Sequence, residues 1–170
     1  MLTLALLRHA KSSWNQSGLS DFDRPLNERG QKAAPEMGDV LRGLKFAPDV
    51  ILCSPSIRTR QTLDLVLPRL KCAKPVILYD KDLYHVAADG LLEQIRHLDG
   101  RYRAALVVGH NPGLHAFALQ LAGQGASDDL TQLTYKFPTA ALAIFSFTGP
   151  AWTDIAPGKG WLEAFAVPER

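Results

Sequence analysis

Three short segments of this sequence carry side chains that could do chemistry together. They are Arg8-His9, Ser54-Pro55 with Arg58 behind it, and Gly109-His110-Asn111-Pro112. Each follows a short apolar run of the kind that forms a buried strand. Burying Arg8 and Arg58 without an anion is costly, and no acidic cluster stands beside either in sequence. A phosphate is therefore the expected partner, because guanidinium forks match its oxygens two at a time. The chemistry that follows is phosphoryl transfer. A histidine nitrogen can attack phosphorus and carry the group covalently, provided its other ring nitrogen keeps its proton and an acceptor holds it. The arginines and the second histidine then offset charge on the equatorial oxygens. This scheme needs no metal and no cofactor, and the sequence has no H-E-x-x-H, Walker glycine loop or carboxylate cluster at metal spacing.

The elements that must position these residues alternate between strand and helix. Leu2 to Leu7, Asp49 to Cys53, Val76 to Leu78 and Ala104 to Val108 read as strands. Asn27 caps a helix running to about Leu41, with Gly43 ending it and Pro35 inside it. Ser56 caps a second helix, which Pro68 is expected to limit. Ala88 to Leu98 has helical apolar spacing, and Pro112 opens a helix to Leu121. Gly123 to Asp129 reads as a loop, and Ala140 to Phe147 and Trp161 to Val167 as late strands, the second at an edge. This order predicts an α/β protein, with a mostly parallel sheet and helices on both faces. Sites in such sheets lie beyond the carboxyl ends of the strands, where Arg8, His9, Arg58 and His110 are expected to meet.

The 170 residues, 46% hydrophobic and 21% charged, suit a single domain spanning 1–170. The net charge is +2, from 19 basic and 17 acidic residues with no basic run, so a nucleic-acid partner is not expected. Cys53 and Cys72 make no disulfide framework. The apolar start, Leu2 to Leu7, has no basic residue before it and is too short to span a bilayer. A soluble, cytoplasmic monomer without membrane contact is the expectation.

Four motifs in order give a resemblance that covers nearly the whole chain. Arg8-His9-Ala10 resembles the R-H-G motif of the histidine phosphatase superfamily, and Ser54-Pro55-Ser56-Ile57-Arg58-Thr59-Arg60-Gln61-Thr62 its S-P-x-x-R-x-x-Q-T segment. Arg24-Pro25-Leu26-Asn27-Glu28-Arg29-Gly30 is similar to the segment opening its first helix, and Gly109-His110 to its later G-H or S-H. The short length and Ala10 resemble the SixA-type phosphohistidine phosphatases. The resemblance implies a three-layer α/β/α sandwich of the phosphoglycerate mutase-like kind. It implies His9 as nucleophile, Arg8 and Arg58 as phosphate-binding residues, and His110 as the histidine touching the transferring group. It also implies Asn15 near the phosphate, and a phosphorylated protein or small molecule as substrate. Larger relatives place a glutamate acid after the third strand. Here that region reads Tyr79-Asp80-Lys81-Asp82-Leu83-Tyr84-His85, with Asp82 and His85 as stand-ins. A missing acid suits a phosphoramidate, whose leaving group needs little help from a proton donor.

Other residues invite competing readings. Cys53 precedes arginines at a strand end, but gaps of four residues to Arg58 and six to Arg60 miss the five of a cysteine phosphatase. A mutase would carry a longer insertion over the site, and a binding module would have lost His9; a broad phosphomonoesterase remains the alternative. Lys11 and Arg24 either rim the pocket or are solvated, and Arg60 is read as solvated. His97 is read as surface, and His115 as either second to the site or surface. Trp14 and Trp161 are expected to serve packing.

Overall fold

A computed structural model of the chain describes residues 1–14 and 17–169. Strand β1 (Leu2–Arg8) lies at the centre of a seven-stranded sheet and alternates between two cores. Leu2, Leu4 and Leu6 face one core and Ala5 and Leu7 the other. Parallel neighbours β4 (Ala104–Gly109), β2 (Val50–Cys53) and β3 (Val76–Tyr79) follow on one side. On the other side lie β6 (Leu142–Phe147), β7 (Gly160–Ala166) and β5 (Ala122–Gly125). Among the described residues β6 alone runs against the rest.

Helices α1 (Glu28–Gly43) and α2 (Ile57–Leu70) cover one face, and α3 (Ala88–Arg96), α4 (Gly113–Leu121) and α5 (Ser127–Tyr135) the other. The expected three-layer α/β/α arrangement with a mostly parallel sheet is what the chain adopts. Asn27 caps α1 by accepting the Gly30 amide at 3.0 Å. Ser56 caps α2 through the Thr59 amide at 3.4 Å.

Three local expectations need correction. Helix α2 passes Pro68 and ends at Leu70, because a proline so near the end removes a bond only from the last turn. The loop expected over Gly123 to Asp129 contains most of β5 and the start of α5. β5 has only alanine, glycine and glutamine, so no strand signal marks it. Its glycines have a steric reason, since a Cβ at Gly123 would collide with the Gly158 carbonyl and one at Gly125 would crowd Leu162. α5 buries only Leu133, which leaves little helical periodicity to read. Finally, β7 is not an edge strand, because β5 lies outside it.

Candidate active site

Sheet register brings the three segments together. Arg8 pairs with Gly109 and Cys53 with Val108, so His9, Ser54 and His110 emerge side by side at the carboxyl ends of β1, β2 and β4. Backbone bonds extend this order past the strands: the His9 amide donates to the Gly109 carbonyl and the Ser54 amide to that of Val108, both at 3.1 Å. A cavity of about 260 Å³ opens there, with Arg8, His9, Arg58 and His110 on its walls. All four expected side chains therefore meet. Asn15, the fifth, lies outside the described residues.

His9 is 6% exposed, and its Nδ1 lies 2.8 Å from the Ala10 carbonyl oxygen. A carbonyl only accepts, so Nδ1 carries the proton and Nε2 keeps its lone pair. Burial drives the His9 pKa down to about 3, and the charges of Arg8, Arg58 and Arg24 push the same way. The ring is thus neutral at physiological pH.

His110 stands with its ring centroid 5.3 Å from that of His9. Its Nδ1 lies 3.4 Å from Nη2 of Arg58, which can only donate. Its Nε2–H therefore donates to Ser54 Oγ at 2.8 Å. Burial, then neighbouring His9 and Arg58, hold its pKa down at about 3. Ser54 thus orients the second histidine, while Thr59 ties Ser54 to α2 by donating to its carbonyl at 2.7 Å.

Arg8 donates from Nη1 to the Phe137 carbonyl at 3.1 Å, and Asn111 Nδ2 donates to the same oxygen at 2.8 Å. Arg58 is 4% exposed and gives both terminal nitrogens to Asp21. Among the described residues, Nε of Arg8 and Nε of Arg58 are buried without a hydrogen-bond partner. Two unsatisfied guanidinium donors beside one cavity are what an anion site requires.

The remaining walls show what sequence reasoning missed. Asp21 comes from a short 3₁₀ turn, Asp21–Asp23, and supplies the carboxylate that no neighbour in sequence could give Arg58. The expectation that only an outside anion could offset the arginines is corrected to that extent. Arg24 and Lys11 do line the cavity; Arg24 is 9% exposed and donates to Ser12 Oγ at 2.6 Å. Trp14 was expected to pack, yet it is 73% exposed at the rim, with the Arg24 guanidinium 3.4 Å from its ring centroid. His85 lines the cavity, whereas Asp82 is exposed and absent from its walls.

The other candidates lie elsewhere. Arg60 covers the Tyr79 ring, His97 bonds the Glu93 carbonyl at the end of α3, and His115 Nε2 donates to the Leu133 carbonyl, joining α4 to α5. Cys53 is buried, and burial pushes its thiol up to about 12, which makes it a poor nucleophile. Gln61 and Thr62 serve the scaffold: Gln61 Oε1 accepts the Leu26 amide at 2.8 Å, and Thr62 Oγ1 accepts the Ala10 amide at 3.0 Å.

A family model described as "Histidine phosphatase superfamily (branch 1)" matches residues 4–86. An uncharacterized protein of Mycobacterium tuberculosis is 36% identical over 164 residues, which make up 95% of this chain and 99% of that one. A solved structure from Nakamurella multipartitia, provisionally assigned as phosphohistidine phosphatase SixA, superposes with a TM-score of 0.85 at 32% identity, over 99% of this chain and 97% of that one. A similarly assigned structure from Agrobacterium tumefaciens gives 0.83 at 30%, over 98% of each. The chain belongs to the histidine phosphatase superfamily and within it is of the SixA type. The order of its strands and helices is that of the phosphoglycerate mutase-like fold.

Proposed function

We propose that this chain is a metal-independent phosphohistidine phosphatase that works through a phosphoenzyme on His9. The observation that carries the reading is the tautomer of His9. Its Nδ1 proton is committed to Ala10, which leaves a neutral, buried Nε2 lone pair beside two guanidiniums with unsatisfied donors. Nε2 attacks phosphorus, the new P–N bond forms, and the bond to the leaving group breaks with its electron pair going to the leaving atom. Water then attacks the phosphohistidine and releases phosphate, and His9 regains its lone pair. Arg8 and Arg58 stabilise the equatorial oxygens through both steps, and His110, held by Ser54, receives Arg58 Nη2 on its Nδ1 beside them.

Among the described residues, no group of three or more His, Cys, Asp or Glu gathers as metal ligands, and in this reading the arginines carry the charge. His85 is the side chain after β3 that stands at the cavity, and it is the donor we assign to the leaving atom. A cavity of about 260 Å³ takes a phosphorylated side-chain end rather than a whole macromolecule, which suits a phosphoprotein substrate reaching in from outside.

Labelled phosphohistidine peptide tests the reading. Brief reaction should leave an acid-labile, base-stable phosphate on the protein, and His9→Ala should lose both the label and turnover. A labelled His9→Ala protein would sink the assignment. Turnover should also survive EDTA.

A further inference from the structure

The geometry points to Asp21 as a positioning residue that sets the Arg58 guanidinium for the phosphoryl group, an assignment that rests on the phosphatase reading above. Its backbone carbonyl accepts Arg58 Nη1 at 2.6 Å, and its Oδ2 accepts Nη2 at 3.0 Å. One residue thus takes both terminal nitrogens of a buried arginine. The planar fork then has a single orientation at the cavity wall, with Nε buried and unpaired.

Asp21 is itself held firmly, although its side chain is 42% exposed. Oδ1 accepts Arg24 Nε at 3.1 Å and Nη2 at 3.0 Å, and the Tyr84 hydroxyl donates to Oδ2 at 2.5 Å. Tyr84 is fixed in turn by an edge contact with Phe22 and another with His110. The carboxylate therefore joins the turn before α1, the start of α2 and the segment after β3 at one oxygen pair. These are three walls of the cavity.

Two other roles for Asp21 give different signatures. As a proton donor it would need to hold a proton, but the Tyr84 hydroxyl and the two guanidiniums keep its carboxyl well below the usual carboxylate range. As a bare anion beside the site it would repel phosphate, and its removal would tighten anion binding.

Orthovanadate affinity and steady-state kinetics on Asp21→Ala, Arg58→Ala and the double variant decide among these. Asp21→Ala should weaken vanadate binding by about tenfold, the value of a hydrogen bond to a charged group. It should lower kcat by a similar factor on p-nitrophenyl phosphate and on a phosphoserine peptide alike. In the Arg58→Ala background it should cost nothing further, because the two act as one unit. Tyr84→Phe, which keeps the carboxylate and loses one of its bonds, should act in the same direction by about threefold. Tighter vanadate binding by Asp21→Ala, additive losses in the double variant, or a loss confined to the serine ester would each overturn the assignment. A wild-type protein that binds no vanadate would overturn the phosphatase reading and this assignment with it. Undiminished binding by Asp21→Ala would overturn this assignment alone.

Discussion

In the proposed reaction His9 is the nucleophile, and its burial suits it to that role. An exposed histidine near a guanidinium pair would be partly protonated below neutrality, whereas this one stays neutral down to about 3. Because kcat/KM reports the free enzyme, no acid limb from His9 or His110 should show between pH 8 and pH 5. A loss in that range that vanished in His110→Gln would contradict the burial argument. Arg58→Ala should cost about a hundredfold or more in kcat, by comparison with deleting one oxyanion donor. Arg58→Lys should recover little of this, since a point charge cannot span Asp21 and an oxygen together. If His85 donates to the leaving atom, His85→Gln should slow a phosphoserine peptide more than p-nitrophenyl phosphate. Much of this site could be read from residue order alone, because Arg8, His9, Arg58 and His110 each sit just past an apolar run. Asp21 could not be read so. It meets Arg58 across 37 positions through two turns without periodicity, and an aspartate before Arg24-Pro25-Leu26 looks like any solvated loop residue.

At the scale of elements, the cavity depends on how closely α1 approaches the segment after His9. A Cβ on Gly30 would collide with the Lys11 carbonyl, so only glycine permits that approach. The Asn27 amide donates to the same carbonyl at 3.0 Å, which pins the helix start to the cavity wall. Gly30→Ala should therefore cost about 1–3 kcal/mol as overpacking, with a drop in activity because Lys11 and its neighbours are pushed aside. Asn27→Ala removes only the cap and should cost about 1 kcal/mol, leaving kcat near wild type. Chemical denaturation with parallel assays separates the two. Elements were legible where burial imposed a pattern. β2 and β4 are continuous apolar runs, β1 is broken only by Thr3 before it ends in Arg8, and α1 and α2 open on capping residues. β5 and α5 were not, since a glycine-rich strand is set by its neighbour's backbone and a helix with one buried residue has no stripe to show.

For the whole molecule, the two buried histidines couple folding to protons. Unfolded, each takes up a proton near 6.5, while in the folded protein each resists until about 3. The unfolded chain therefore binds more protons across that window, and stability falls as pH falls through it. The Tm should drop between pH 7.5 and pH 5, and less steeply in a His9→Gln/His110→Gln variant; equal slopes would refute the linkage. A last consequence follows from the reversed strand β6. Its approach brings the Ala140 amide to the His9 carbonyl at 3.0 Å and the Ala141 carbonyl to the Arg8 amide at 3.0 Å, while β4 holds the other side. His9 is thus clamped within the ladder, whereas Asp21, Arg24 and Trp14 lie outside it, held largely by side-chain contacts. Amide hydrogen exchange should split the centre accordingly, with His9 and Ala140 among the slowest protons and the stretch around Asp21 among the fast ones. Mild urea would then lower activity while the far-ultraviolet signal stood unchanged, with His9 still in place and the outer wall of the cavity open to water.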